Sequence, residues 1–286
     1  PSLNLSKPGS GTVTFNKSFD SRGNPLRQTI CQYYLNESGV LVYGVGQEIV
    51  TSYNIQGNPE IRTSADFYFK DETQVEFAAN YQAYDIPFTN RLFLDAKREN
   101  FLHYDLSKKY AYRIEEEYFH IGEDNSITAV LSASGDIQLS AYEKYAGKEI
   151  QKECFSVKGV AERVLTLNYD WESESKVYTD GTFLINSIES GDQIRDAFTY
   201  TLDFEEGTQN VLTTKLDTRH VQTFAANGSV LSAENSSYEI KEGREKIEEG
   251  KTTSFAELKL MSLSSLASLL TSKFVSTEVA ADEKDF

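Results

Sequence analysis

Methionine, tryptophan, cysteine, histidine and proline are all scarce in this chain, at one, one, two, three and five residues among 286. Each shortage excludes something. Cys31 and Cys154 lie far apart and form no C-x-x-C. A chain of this length buries enough core to stand without covalent staples, so both cysteines are expected to be buried thiols acting as small apolar residues. With three histidines there is no H-E-x-x-H and no histidine pair at ligand spacing, which removes zinc proteases and zinc fingers. G-x-S-x-G, the P-loop and the EF-hand loop are absent as well. The stretch "YGVGQEI" carries Gly44 and Gly46 without the third glycine of a dinucleotide fingerprint.

Long apolar runs are missing too. Nothing approaches the ~18–20 residues of a membrane helix, and the opening "PSLNLSKPGSG" has no apolar signal core. A proline at position 1 suits removal of an initiator methionine better than a signal-peptidase cut, so a leaderless cytosolic or virion-assembled protein is expected. The last segment, "STEVAADEKDF", lacks the alternation of a lipid-facing strand. Positive charge is in deficit: 28 basic against 44 acidic residues give a formal charge of −16. Nucleic acid and anionic membranes would be repelled, and neither is expected as a partner.

What the chain does have is alternation. From about residue 12 to 240, segments such as "GTVTFNKSF", "SADFYFKDETQVEF", "KYAYRIEEEYFHI" and "DAFTYTLDF" place apolar or aromatic residues at every second position. That is strand spacing with one wet face, as antiparallel sheets produce. Seventeen tyrosines and seventeen phenylalanines suit strands and an aromatic interior. The expected fold is mainly β, a large antiparallel barrel or sandwich of about twelve to sixteen strands.

Two-residue hairpin turns are predicted at Asp180-Gly181 and Asn227-Gly228, with softer turn signals at "NESG", "QGNPE", "GEDN", "SASGD", "ESGD" and "EEGT". The β region is taken as residues 1–240, with a subdomain boundary near 125–150 as the alternative. A polar connector (241–253), a helix (254–274) and a polar tail (275–286) follow. Ser254 with Glu257 forms a capping box, and Phe255, Leu258, Leu266, Leu269 and Leu270 make one stripe with Leu263 beside it. This helix is expected to lie across an open sheet face or to plug a barrel end. A second capping box, Ser140 with Glu143, predicts a short helix that Gly147 interrupts.

Candidate chemistry is sparse. In "RIEEEYFHIGED" a strand turns Arg113, Glu115, Glu117 and Phe119 to one side and Ile114, Glu116, Tyr118 and His120 to the other, splitting the glutamates into a solvated hairpin arm. His103, His120 and His220 are the acid-base candidates. Asp170, Glu172 and Glu174 recur at period two, so one strand face would present three carboxylates to a calcium ion. Trp171 on the opposite face reads as a core anchor. Tyr81, Tyr84, Tyr110, Tyr112 and Tyr118 are the candidate lining of an aromatic cavity.

Three functional readings compete. The first is a non-enzymatic structural or binding protein that acts by self-association or through a protein partner, as a virion, appendage or cell-surface component. The second is a lipocalin-like barrel that holds a small apolar molecule, as a carrier or as a cyclase or isomerase. The third is a calcium-dependent carbohydrate-binding module built on the Asp170 row.

Overall fold

The computed structural model describes residues 9–76, 90–104, 111–122, 130, 136–189, 193–204, 210–237, 253–254 and 262–268. Twelve strands follow one another in chain order, each paired with its predecessor: β1 (Ser10–Phe19), β2 (Pro25–Leu35), β3 (Leu41–Tyr53), β4 (Pro59–Phe69), β5 (Arg91–Tyr104), β6 (Ala111–His120), β7 (Glu143–Phe155), β8 (Ala161–Glu172), β9 (Ser175–Glu189), β10 (Gln193–Phe204), β11 (Asn210–Phe224) and β12 (Val230–Ser237). A two-residue strand, β13 (Thr253–Ser254), pairs with the start of β11. The fold is therefore all-β and antiparallel, as the alternation predicted. The sheet does not close: β1 and β12 end the strand order. Among the described strands the sheet is open rather than a closed barrel.

By internal contacts the chain divides into two compact units, Pro1–Phe101 with Glu116–Ala146, and Leu102–Glu115 with Gly147–Phe286. Each has its own core. In the first, Cys31, Tyr43, Ala65, Phe67, Phe93, Phe119 and Ile121 pack together. Val130, Ile137 and Leu139 join them from a connection that makes no strand in its described residues. In the second, the cross-strand row Leu165, Phe183, Tyr200 forms the centre. Leu263, Leu266 and Ala267 cover it from a single short helix, α1 (263–268).

The described helical residues fall within the predicted span, but the predicted cap is not one. Ser254 lies in β13, paired with Asn210, and not at a helix cap. Ser262 takes that role: its Oγ accepts the Ser265 amide at 3.1 Å and meets the Ser265 hydroxyl at 2.9 Å. Residues 255–261 and 269–286 lie outside the described residues, as do most of the connector and the whole tail. Ser140 starts no helix either, because Glu143 and Gly147 belong to β7.

The turns reverse the expected ranking. Asp180 and Gly181 sit inside β9, paired with Asn168 and Leu167. A Cβ on Gly181 would stand 2.7 Å from the Thr166 carbonyl oxygen and 3.0 Å from Leu167 Cδ2, so this glycine marks a close approach of strands and not a bend. The soft signals "NESG" and "QGNPE" are true hairpins. At Asn54–Asn58 the Asn54 amide donates to the Asn58 carbonyl at 2.8 Å, and the Gly57 amide to the Asn54 carbonyl at 2.9 Å. Gly57 has φ 85°, a three-residue loop with a glycine bulge. The same bond pair recurs at 20–24, 36–40, 156–160 and 225–229. Asn227-Gly228 thus turns the chain as predicted, by the longer loop. The signals at 123–125, 132–135, 190–192 and 205–208 fall outside the described residues.

Candidate functional site

In each unit one glutamate points into the core side of the sheet and is held by two cations and a hydroxyl. Glu48 on β3 has Thr29 and Ala65 as its cross-strand neighbours, and Ala65 in turn faces Ala96. This row of small side chains leaves room for a carboxylate. Thr29 Oγ1 donates to Glu48 Oε2 at 2.6 Å, Arg91 Nη1 to the same oxygen at 3.1 Å, and Arg27 Nε to Oε1. The Arg91 guanidinium also lies over the Phe67 ring, 4.6 Å from its centroid. Glu48 and Arg91 side chains are wholly buried. Removal of either partner would leave a charge in a dry interior.

Glu149 on β7 repeats the chemistry in the second unit. Its Oε1 accepts from Lys176 Nζ at 2.9 Å and from the Tyr178 hydroxyl at 2.8 Å, and its Oε2 accepts from Arg113 Nη2 at 3.2 Å. Lys176 also pairs with Glu115 and stands 4.7 Å from the centroid of the Tyr169 ring. Burial pushes the Tyr178 hydroxyl well above the usual tyrosine range, and the Glu149 carboxylate pushes it further. For Lys176 burial pulls downward, but its bonds to Glu115 and Glu149 outweigh this and hold the ammonium above its ordinary value. Beside the cluster is a pocket of about 70 Å³ lined by Arg113, Glu149, Ile150, Gln151, Leu165 and Leu167. By the same measure one water needs roughly 10–15 Å³, so the pocket has room for about five waters. Two cations face two carboxylates here, which leaves the cluster neutral and Glu149 fully engaged.

The glutamate run of β6 alternates as predicted but is not a bare wet face. Glu116 meets Lys97 at 3.9 Å and accepts the Tyr118 hydroxyl at 2.7 Å on one side. On the other, Glu117 meets Lys144 at 2.5 Å and Arg98 at 3.9 Å, and Glu115 meets Lys176. All three are half-buried in cross-strand ion pairs, which corrects the expectation of a solvated arm.

The remaining candidates are scattered. His120 pairs with Asp95 across β5 and β6 at 2.9 Å, exposed. His220 meets Asn235 across β11 and β12. The side chain of His103 lies outside the described residues, as do Tyr81, Tyr84 and Tyr110. Tyr112 packs edge-on against Phe155 at 5.2 Å, and Tyr118 lies 6.3 Å from Tyr145, each within its own unit.

The carboxylate row is broken. Asp170 and Glu172 are exposed on β8, but Ser173 and Glu174 have φ 46° and 65° and form the two-residue turn into β9. Period two stops before Glu174, so the three never share a strand face. Among the described residues no three His, Cys, Asp or Glu side chains stand close enough to hold a metal ion. Trp171 packs on the second core, as expected. Cys31 is buried, its thiol pushed up to about 12 by desolvation. Cys154 is exposed, a correction, with its Sγ 2.9 Å from Arg163 Nη1.

Sequence reading missed Glu48 and Glu149. The available signal was a glutamate in phase with apolar neighbours inside a strand, and it does not say which cations will reach it. Among the described residues no helix is long and apolar enough to cross a membrane. No protein-family model matches this chain, and no curated protein matches it in sequence.

Proposed function

We propose that this protein is a non-enzymatic β-rich component that acts through surface contacts and assembly. The observation that carries this reading is the open sheet, whose last strand, β12, has every described side chain from Val230 to Asn235 exposed. A sheet end of that kind is a template for another chain. The two buried glutamates support the same reading, because their oxygens are engaged by fixed cations and hydroxyls and stabilise the sheet itself.

A carrier or cyclase asks for an apolar chamber of roughly 300 Å³ or more. The pocket described beside Glu149, charged and about 70 Å³, is not such a chamber; the candidate lining Tyr81, Tyr84 and Tyr110 lies outside the described residues. A calcium-dependent module asks for clustered oxygens, and Glu174 has left the row that suggested one.

Native mass spectrometry of the protein purified without refolding tests the proposal. The expected spectrum is a defined multimer or a growing series with no extra mass. A monomer that reproducibly carries a small adduct would overturn it in favour of the ligand-binding reading.

A further inference from the structure

The described side chains of β12, from Val230 to Asn235, are all exposed. Val230 and Leu231 are 53% and 68% exposed, and as neighbours they project from opposite faces. The strand reads "VLSAENSS" and contains no lysine, arginine or proline, the residues with which sheet edges are usually guarded. At the other end of the strand order, β1 pairs among the described residues only with β2 and finishes on Phe19, which is 54% exposed. Its exposed positions Thr12, Thr14, Asn16 and Ser18 are uncharged.

We infer that the partner is a second copy of this chain, whose β1 edge adds antiparallel to the β12 edge of the first. This rests on the assembly reading above and names its contact. An antiparallel addition sets the start of one strand beside the finish of the other. Val230 and Leu231 then lie against Phe19, and in the register that pairs Val230 with Phe19 the only charge on β12, Glu234, stands opposite Phe15. The eight residues of β12 match Thr12 to Phe19.

A two-fold pairing of β12 with β12 fits less well. It would set the apolar start of each strand against the Ser236-Ser237 end of the other and leave Phe19 uncovered. The β12-to-β1 contact is heterologous, so each copy keeps one unused edge and the series stays open-ended. With −16 on every copy, repulsion opposes growth, and added salt is expected to favour it.

Sedimentation velocity on the full chain, over a concentration series at low and raised salt, reads the outcome. Wild type is expected to give a series of species that lengthens with concentration and salt. Leu231→Lys and Phe19→Lys are each expected to remain monomeric alone. Mixed in equal amounts they should form a dimer that does not grow, because one intact β1 edge meets one intact β12 edge.

Both positions are exposed, and circular dichroism is the check that each variant is folded. Ala233→Lys serves as a second β12 variant should Leu231→Lys fail to fold. A wild type that is monomeric at every concentration would overturn the inference, as would a Phe19→Lys protein that still dimerises. If wild type and all variants assemble alike, this contact falls while the assembly reading stands. A monomer with a bound small molecule removes that reading as well.

Discussion

The Glu48 and Glu149 carboxylates are each held by two cations and one hydroxyl, with Glu115 as a second carboxylate on Lys176 in the latter cluster, and they are closed to different degrees. Glu48 and Arg91 have no exposed side-chain surface, whereas Arg113 is 41% exposed and borders a pocket. Water can replace a lost partner in the second cluster but not in the first. The comparison teaches that similar sets of hydrogen bonds around a carboxylate are expected to carry different energetic weight, set by access to solvent.

The largest expected effect follows from that contrast. Arg91→Ala strands the Glu48 carboxylate and removes the contact with Phe67, and it is expected to cost about 3–5 kcal/mol in urea unfolding. Arg113→Ala, its counterpart in the second cluster, is expected to cost about 1 kcal/mol or less. Equal losses would show that the two clusters are not distinguished by burial.

Close strand packing comes next. Gly181→Ala places a methyl 2.7 Å from the Thr166 oxygen, and Gly46→Ala places one against the Phe67 ring and 2.6 Å from the Ile30 carbonyl oxygen. Each is expected to cost about 1–3 kcal/mol by the same measurement. A neutral Gly181→Ala would return Asp180-Gly181 to the status of an ordinary strand pair.

The hairpins offer a smaller test. Asn54 Oδ1 accepts the amides of Gln56 and Asn58 at 3.0 and 2.9 Å, while the 225–229 turn has alanine at the equivalent position. Asn54→Ala is expected to lose about 1 kcal/mol, and Ala225→Asn to gain several tenths, read as shifts in the urea midpoint. An unchanged midpoint in Asn54→Ala would mean that the backbone bonds alone set the turn.

Alkaline pH should separate the clusters without mutation. Tyr178 and Lys176 both titrate above their ordinary values in the fold. Their contribution is therefore whole below about pH 10, the unfolded range for both groups, and is lost as pH climbs through the raised folded values. The Glu48 carboxylate is bonded to two arginines and a threonine, with no lysine or tyrosine among these partners. Stability measured against pH should fall at the alkaline end, and Tyr178→Phe should flatten that fall. A thiol reagent gives the mildest test: Cys154 should react in the native protein, and Cys31 only on unfolding.

Much of the architecture was legible. Alternation revealed the strands, the antiparallel class and the two faces of β6, because side-chain direction follows from local backbone geometry. The turns were harder. Asp-Gly inside β9 looks locally like a hairpin, and what keeps it extended is Thr166 and Leu167 on the neighbouring strand. The repeated loop was visible as Asx or Ser followed three residues later by glycine at 20–23, 36–39, 54–57 and 156–159, but a four-residue pattern is too common to rank highly before its hydrogen bonds are known.

The candidate site was barely legible. Lys144 and Lys176 reach the β6 glutamates from 27 and 61 residues away, and Arg91 reaches Glu48 from 43. No window of sequence contains such pairs. By itself the sequence determined the strand order's raw material, the aromatic interior and the excess negative surface, all of which depend on neighbours a few residues apart. Only the tertiary structure decided that the sheet stays open, that the acids are paired and that β12 stands at its rim, because those outcomes depend on which distant strands lie side by side.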